Sequence, residues 1–451
     1  MAGLQEALMN CKCPFCFKTF THDKVAFRAM TAFEQQDLSD EMEEQEKEIM
    51  EKYQKEDDEL YKNFWNNFPG SEINNKYSRY PVIDNNNPKA LNGAYKHDAS
   101  GFVNEVTDEF GRTSDIRICP YCHNNLPFEF GKYPVKYISV VGITSSGKTI
   151  YLSQLLKHLG SFFTKAGLTV FGTCDEIDAF LAGHKISKDK PLPQGTVPDG
   201  LTPPMVANVK DNSTQQMYTL VFYDIAGENC VKPHKMKKFG PFIKNSNGII
   251  LIIDPGQFMG EIQDAEGEEQ ELYQPDRVIA AMCDAFVTSS NKNGQSGIPL
   301  AVTLSKGDTM KNILSYSSNI FNNIDYSLYE NNRFPYDEFR STDIEVWHLV
   351  QELDKDKALI LKNILEQSFP GHLFFIVSSL NTEPYKVKDE DDKEHYKIDE
   401  EPETVRVEEP LFWILDKIGI GTNTGKTNRK KPGKDNDTKP GGIFGGWFHI
   451  I

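Results

Sequence analysis

Apolar residues in this chain gather into short runs of strand length, each closed by a polar or glycine-containing turn, with helix-patterned stretches between them. Val135–Gly142 reads V-K-Y-I-S-V-V-G, Met217–Glu228 reads M-Y-T-L-V-F-Y-D-I-A-G-E, and Gly248–Asp254 is the continuous run G-I-I-L-I-I-D. Two more runs end at Asp308 (I-P-L-A-V-T-L-S-K-G-D) and Leu380 (H-L-F-F-I-V-S-S-L). A run without alternation is what a parallel strand needs when helices cover both of its faces. Ile150–Leu159 has the i, i+3, i+4 spacing of a helix and stops at Gly160. Further helices are expected around Pro275–Phe286, over D-I-E-V-W-H-L-V-Q-E-L-D-K-D-K-A-L-I-L-K-N-I-L, and over R-V-E-E-P-L-F-W-I-L. Strands alternating with helices predict an α/β fold with a mostly parallel sheet and helices on both faces.

The pattern changes on either side of this region. From Phe33 to Phe68 the chain is rich in Glu, Gln, Lys and Met, and places apolar residues at Leu38, Met42, Ile49, Tyr53, Leu60 and Phe64. That spacing, four then seven, predicts one nearly straight helix, either a single acidic surface helix or half of a dimerising coiled coil. The Asn-, Pro- and Gly-rich stretch that follows, to about Gly111, reads as an irregular return. Lys388–Glu403 reads as an acidic loop. Beyond Gly419 the chain is basic and poor in apolar residues, as disordered segments are, until the apolar ending I-F-G-G-W-F-H-I-I. The expected division is residues 1–132, a split N-terminal module with a helical insertion; 133–419, the α/β domain; and 420–451, a tail.

Composition narrows the classes. A chain of 451 residues has ample material for a core, and its formal net charge of −17 opposes coating of nucleic acid or an anionic membrane, leaving a local basic patch open. There is neither a run near the ~20 apolar residues of a membrane span nor an apolar signal-peptide core at the start, so the expected compartment is the cytoplasm.

Candidate chemistry is concentrated at the strand ends. Gly142, Gly147, Lys148 and Thr149 satisfy G-x-x-x-x-G-K-[ST] directly after a strand and before a helix. In such a loop glycine lets backbone N–H groups turn inward around a phosphate; the lysine reaches the β- and γ-oxygens, and the threonine hydroxyl takes one position on magnesium. The candidate cradle is Gly142, Thr144, Ser145, Ser146, Gly147, Lys148, Thr149 and Ile150. Asp224 and Gly227 form a D-x-x-G at the end of the next strand pattern, suited to hold magnesium through water and to sense the γ-phosphate. Thr196 or Thr202, in the Pro-rich loop Pro191–Pro204, is the second candidate magnesium ligand. A later G-K-T, ending at Thr427, has Ile420 where the first glycine should stand and no strand before it.

Two Cys-Pro-aromatic-Cys pairs, Cys13/Cys16 and Cys119/Cys122, have the shape of zinc knuckles and together suit one tetrahedral zinc. Redox pairs, a disulfide or free thiols are the competing readings, and Cys11, His22 and His123 are spare ligands for a three-cysteine, one-histidine site. The long separation of the knuckles costs little, because loop-closure entropy grows only logarithmically.

The order G-I-T-S-S-G-K-T, D-I-A-G-E, S-K-G-D, V-S-S-L resembles the guanine-nucleotide-binding domain of the TRAFAC-clade P-loop GTPases over roughly Tyr133–Gly419. The fused zinc ribbon, Pro-rich segment and closing helix are similar to the bacterial double-GTPase group. The resemblance implies that Asp308 accepts two hydrogen bonds from guanine, that Lys306 lies along the base, and that Ser378, Ser379 and Leu380 approach guanine O6. Ser305 stands where the family usually has asparagine. Glu228 stands where many members carry the glutamine that orients the attacking water, and a carboxylate there faces a charged phosphate. With Glu228 and Lys148 as candidate catalytic residues, the expectation is a GTP-binding protein that uses magnesium and turns over slowly or on activation by a partner. The zinc and helical module would read the nucleotide state out to a protein partner. The alternatives are a zinc-bearing scaffold that binds nucleotide with little hydrolysis, and a P-loop ATPase or kinase.

Overall fold

The computed structural model describes residues 10–29, 58–71, 80–142, 145–193, 200–226, 229, 233–259, 275–287, 295–313, 318–328, 334–388 and 392–421. The N-terminal region contains β1 (Asn10–Lys12), β2 (Thr19–Thr21), β3 (Ala26–Arg28), α1 (Glu59–Trp65), β4 (Val82–Ile83), β5 (Gly93–His97), β6 (Val103–Asp108), β7 (Thr113–Ser114) and β8 (Arg117–Ile118). Most of the expected 33–68 helix and its coiled-coil spacing lie outside the described residues. The described part starts at Asp58, whose carboxylate accepts the Leu60 and Tyr61 N–H groups, and ends at Trp65, short of Phe68. The stretch to Gly111 is not an irregular return: β5, β6 and β7 form an antiparallel sheet. Its Asn, Asp and Gly residues make the hairpin turns, while Val103 and Val106 fill one buried face.

The α/β region runs β9 (Val135–Gly142), α2 (Lys148–Lys157), α3 (Leu159–Lys165), β10 (Leu168–Thr173), α4 (Asp175–Gly183), β11 (Met205–Asp211), β12 (Met217–Ala226), α5 (Pro233–Lys244), β13 (Gly248–Ile253), α6 (Pro275–Val287), β14 (Leu300–Leu304), α7 (Tyr336–Leu353), α8 (Lys355–Ser368), β15 (His372–Ile376), β16 (Tyr385–Lys388), β17 (Glu394–Lys397) and α9 (Glu409–Lys417). One sheet has the order β10-β11-β12-β9-β13-β14-β15. The five strands from β12 to β15 are parallel, and β10 and β11 join antiparallel at one edge. Alternate residues serve two cores. Ile138, Val140, Phe222, Ile250 and Phe375 meet α2, α3 and α9 on one side, while Val141, Tyr223, Leu251, Val302 and Phe374 meet α5, α6 and α8 on the other. This accounts for the unbroken apolar run of β13, buried at every residue.

Three local expectations fail for identifiable reasons. The helix expected to stop at Gly160 breaks at His158, and α3 continues through Gly160 because Leu159, Phe162 and Phe163 are buried in the core. The long helix after Asp308 is two, because Asp354 leaves helical geometry (φ −158°, ψ 106°) and caps α8 through Asp356 and Lys357 N–H. The acidic loop is a hairpin, β16 paired with β17, whose mostly exposed residues carry no hydrophobic signal.

The parallel strands end in register. Gly142 lies opposite Ala226 on one side and Ile252 on the other, and Leu304 opposite Ile253 and Ile376. The strand order reverses around β9, which is where open α/β sheets bind ligands, beyond the carboxyl ends.

Candidate functional site

The phosphate-loop residues sit at the carboxyl end of the central strand. A Cβ on Gly142 would lie 2.7 Å from both Lys148 Cβ and Ser146 Oγ, so only glycine lets the loop fold back this tightly. Ser145 (φ 62°) and Gly147 (φ 76°) take the left-handed conformation, and α2 starts at the next residue, Lys148. Thr149 is buried in its first turn and Ile150 half-buried beside it. Ser146 is buried, and its Oγ has no hydrogen-bond partner among the described residues. Thr144 lies outside the described residues. Lys148 Nζ donates to Asp224 Oδ1, a pair in which both side chains are almost fully enclosed.

The far side of the site is built from the ends of β13, β14 and β15. Ser305 N and Oγ donate to Ile253 O at 2.9 and 3.2 Å. Lys306 adopts φ 51° and its amine reaches Asp254 Oδ2 at 2.5 Å. Gly307 N donates to Val377 O, and a Cβ there would come within 2.8 Å of Ile376. Asp308 accepts from the Ser378 hydroxyl, which itself accepts the Asn381 N–H at 2.9 Å. Ser379 O accepts from Gln154 Nε2 on α2 at 3.1 Å, and Leu380 O from Glu403 N at 3.0 Å. The two sides adjoin: a Cβ on Gly147 would have Ser305 Cβ as its nearest neighbour, at 4.0 Å. Asp254, Gln154 and Asn381 were not singled out from sequence. For Asp254 the signal is an acid closing a wholly apolar strand; the other two are defined only by the fold.

Of the segments expected to respond to nucleotide, Thr196, Gly227 and Glu228 lie outside the described residues. Thr202 is half-buried, three residues before Met205, where β11 begins to pair with β12 at Phe222. Asn229 is buried with its Oδ1 unpartnered among the described residues.

The four knuckle cysteines come together. Their sulfurs all lie within 4.8 Å of one another, with Cys13–Cys122 and Cys16–Cys119 at 3.7 Å. A tetrahedron with Zn–S bonds of about 2.3 Å has edges of about 3.8 Å, so the set fits zinc, whereas a disulfide needs roughly 2.05 Å. The two turns are alike: Phe17 N to Cys13 O and His123 N to Cys119 O close them, with Phe17 (φ 58°) and His123 (φ 52°) left-handed. Backbone N–H groups of Phe15 and Tyr121 point at Cys13 and Cys119 sulfur. The spare candidates lie outside the four-cysteine group. His123 Nδ1 pairs with Asp58 Oδ2 at 2.8 Å, and Asp58 also holds the buried Arg28 at 2.6 Å. Cys11 and His22 both flank Gly131, outside the four-cysteine group, and burial pushes the Cys11 thiol up to about 12 against the pull of Arg117.

No protein-family model matches the chain, and no curated protein matches it. Among solved structures, a complex of SsGBP with GDP aligns at 16% identity over 55% of this chain and 45% of that one, with a TM-score of 0.22. Sup35 complexed with GDP aligns at 10% over 54% and 37%, TM-score 0.22. The S. cerevisiae Ski7 GTPase-like domain bound to GTP aligns at 15% over 55% and 43%, TM-score 0.24. This chain spans less than half the length of each of these. Likeness of that degree assigns no function, and what the site can do follows from its own geometry.

Proposed function

We propose that this chain binds guanine nucleotide with magnesium and acts as a slow GTPase switch of the TRAFAC type, with a zinc-ribbon and helical module for a protein partner. The observation that carries this reading is convergence: the Gly142–Thr149 loop, Asp224 and Asp308 arrive from separate strands at one end of one sheet. Backbone N–H groups at the start of α2 and the Lys148 amine suit the phosphates. Thr149 and Asp224 would hold magnesium, which supplies charge neutralisation between the β- and γ-phosphates. A magnesium triphosphate offers each member of the Lys148–Asp224 pair an opposite charge, so the exchange of partners leaves neither charge buried alone. Asp308, backed by Ser378, presents a carboxylate to guanine N1–H and its 2-amino group. Adenine has neither donor, so a partly buried Asp308 would be left unsatisfied at a cost of about 1–3 kcal/mol.

The second reading, nucleotide binding with little hydrolysis, is favoured by Glu228, an acid where water must be aimed at an anion. Four cysteines at tetrahedral spacing support zinc as a structural ion. Equilibrium binding and turnover of GTP, with and without magnesium, test the proposal. It predicts magnesium-dependent binding and slow release of phosphate; absence of magnesium-dependent GTP binding refutes it, and binding without turnover selects the second reading.

A further inference from the structure

The segment that leads out of α1 touches the cysteine turns at one end and, at the other, the Leu201 segment before β11 and the second half of α5. At its metal end, Trp65 Nε1 donates to Asn124 Oδ1 at 2.7 Å, two residues beyond Cys122. Phe64 and Trp65 make edge contacts with Phe15, between Cys13 and Cys16. At its other end the Phe68 ring meets Phe239 and Phe242 of α5 at 5.4 and 6.1 Å. Three residues later, Ser71 Oγ accepts the Leu201 N–H at 2.7 Å. Gly200 and Gly70 approach so closely that a Cβ on Gly200 would lie 2.7 Å from Gly70 O.

Leu201 and α5 are not arbitrary neighbours. Leu201 precedes β11 at the end where β11 pairs with the carboxyl half of β12, and α5 follows the end of β12 that carries Asp224. The first knuckle reaches the same strands directly: Tyr223, next to Asp224, donates its hydroxyl to Pro14 O at 2.7 Å, and Tyr137 of β9 donates to Lys12 O at 2.6 Å. Phe17 is wedged against Tyr137, Tyr223 and Phe242.

We propose that Phe68–Ser71 is a positioning strap for the nucleotide site: anchored on the metal centre, it holds the Leu201 segment and α5 in the arrangement that retains nucleotide. This rests on the guanine-nucleotide reading given above. Because coupling between two sites is reciprocal, the strap makes nucleotide release sensitive to the metal centre and makes the strap itself sensitive to nucleotide.

The test is release of a fluorescent GDP analogue from the full chain, chased with excess GDP, together with hydrogen exchange of the amides in residues 66–71. Ser71→Ala, which deletes one hydrogen bond to a partly exposed hydroxyl, should speed release about three- to tenfold with zinc content unchanged and the thermal midpoint lowered by no more than about 3 °C, and Ser71→Thr should restore slow release. Phe68→Ala should act in the same direction, and Ser71→Ala decides the matter if that variant does not fold. Chelation of zinc should also speed release, and saturating GDP should slow exchange at 66–71 in the unaltered protein. Release unchanged by Ser71→Ala, or exchange at 66–71 indifferent to GDP, overturns the strap while leaving the nucleotide site intact. An unaltered protein that binds no GDP analogue overturns the nucleotide reading, and the strap with it.

Discussion

Replacing Lys148 with alanine tests the energetic core of the site before any nucleotide is added. The Lys148 and Asp224 side chains are 6% and 2% exposed, so neither charge has water to fall back on when the other is removed. Breaking a buried pair by deleting one partner costs about 3–5 kcal/mol, far above the ~1 kcal/mol of an exposed pair. For a domain of this size the unfolding entropy is roughly 0.6 kcal/mol/K, so the thermal midpoint of nucleotide-free protein should fall by about 5–8 °C. Differential scanning calorimetry on Lys148→Ala, Asp224→Leu and the double variant Lys148→Ala/Asp224→Leu separates the pair from its surroundings. The double variant should be less destabilised than the sum of the singles, because both buried charges are removed together. In the same Lys148→Ala protein, loss of a charge-assisted contact should weaken GTP binding by about 1.5–3 kcal/mol. A midpoint within 1 °C of the unaltered protein, or strict additivity of the two singles, would refute the claim that this pair is buried and coupled.

Elemental analysis should find about one zinc per chain, lost in Cys119→Ser; a folded metal-free protein would argue for plain thiols, and zinc retained in full by Cys119→Ser would contradict the four-cysteine site. Gly142→Ala puts a methyl 2.7 Å from Lys148 Cβ and should reduce GTP affinity at least roughly tenfold, read by calorimetric titration. Burial pushes Glu409 up to about 8, opposed by the Arg406 guanidinium, so the folded chain keeps a proton that the unfolded chain sheds near pH 4.3. Its contribution is complete below that value and is lost as pH rises through 8, so Glu409→Gln should flatten the decline of urea stability across this window; an unchanged slope would contradict it.

What could be read from the sequence was whatever a short stretch of chain decides by itself. The tight glycine turn between β9 and α2, the two Cys-Pro-aromatic-Cys turns and the all-buried β13 each depend on residues within a few positions of one another, so spacing alone exposes them. The break at Asp354 was hidden because the apolar period runs on across it, and only the carboxylate's capping bonds stop the helix. The β16–β17 hairpin was hidden because both of its strands are largely solvated and leave no apolar alternation. Partnerships formed across the fold left no local mark at all: Lys148 with Asp224, Asp58 with Arg28 and His123, and Ser71 with Leu201 are separated by tens of residues or more.

Asp308 is the residue proposed to read the guanine base, and a competition titration of GTP, ATP and XTP against the unaltered protein and Asp308→Asn probes that contact. A carboxylate accepts from guanine N1–H and the 2-amino group, whereas the asparagine amide presents a donor that suits the 2-keto oxygen of xanthine. GTP should bind at least roughly tenfold tighter than ATP in the unaltered protein, and preference should shift toward XTP in Asp308→Asn. ATP binding as tightly as GTP, or guanine affinity untouched by Asp308→Asn, would contradict it and leave an ATPase or kinase site in its place.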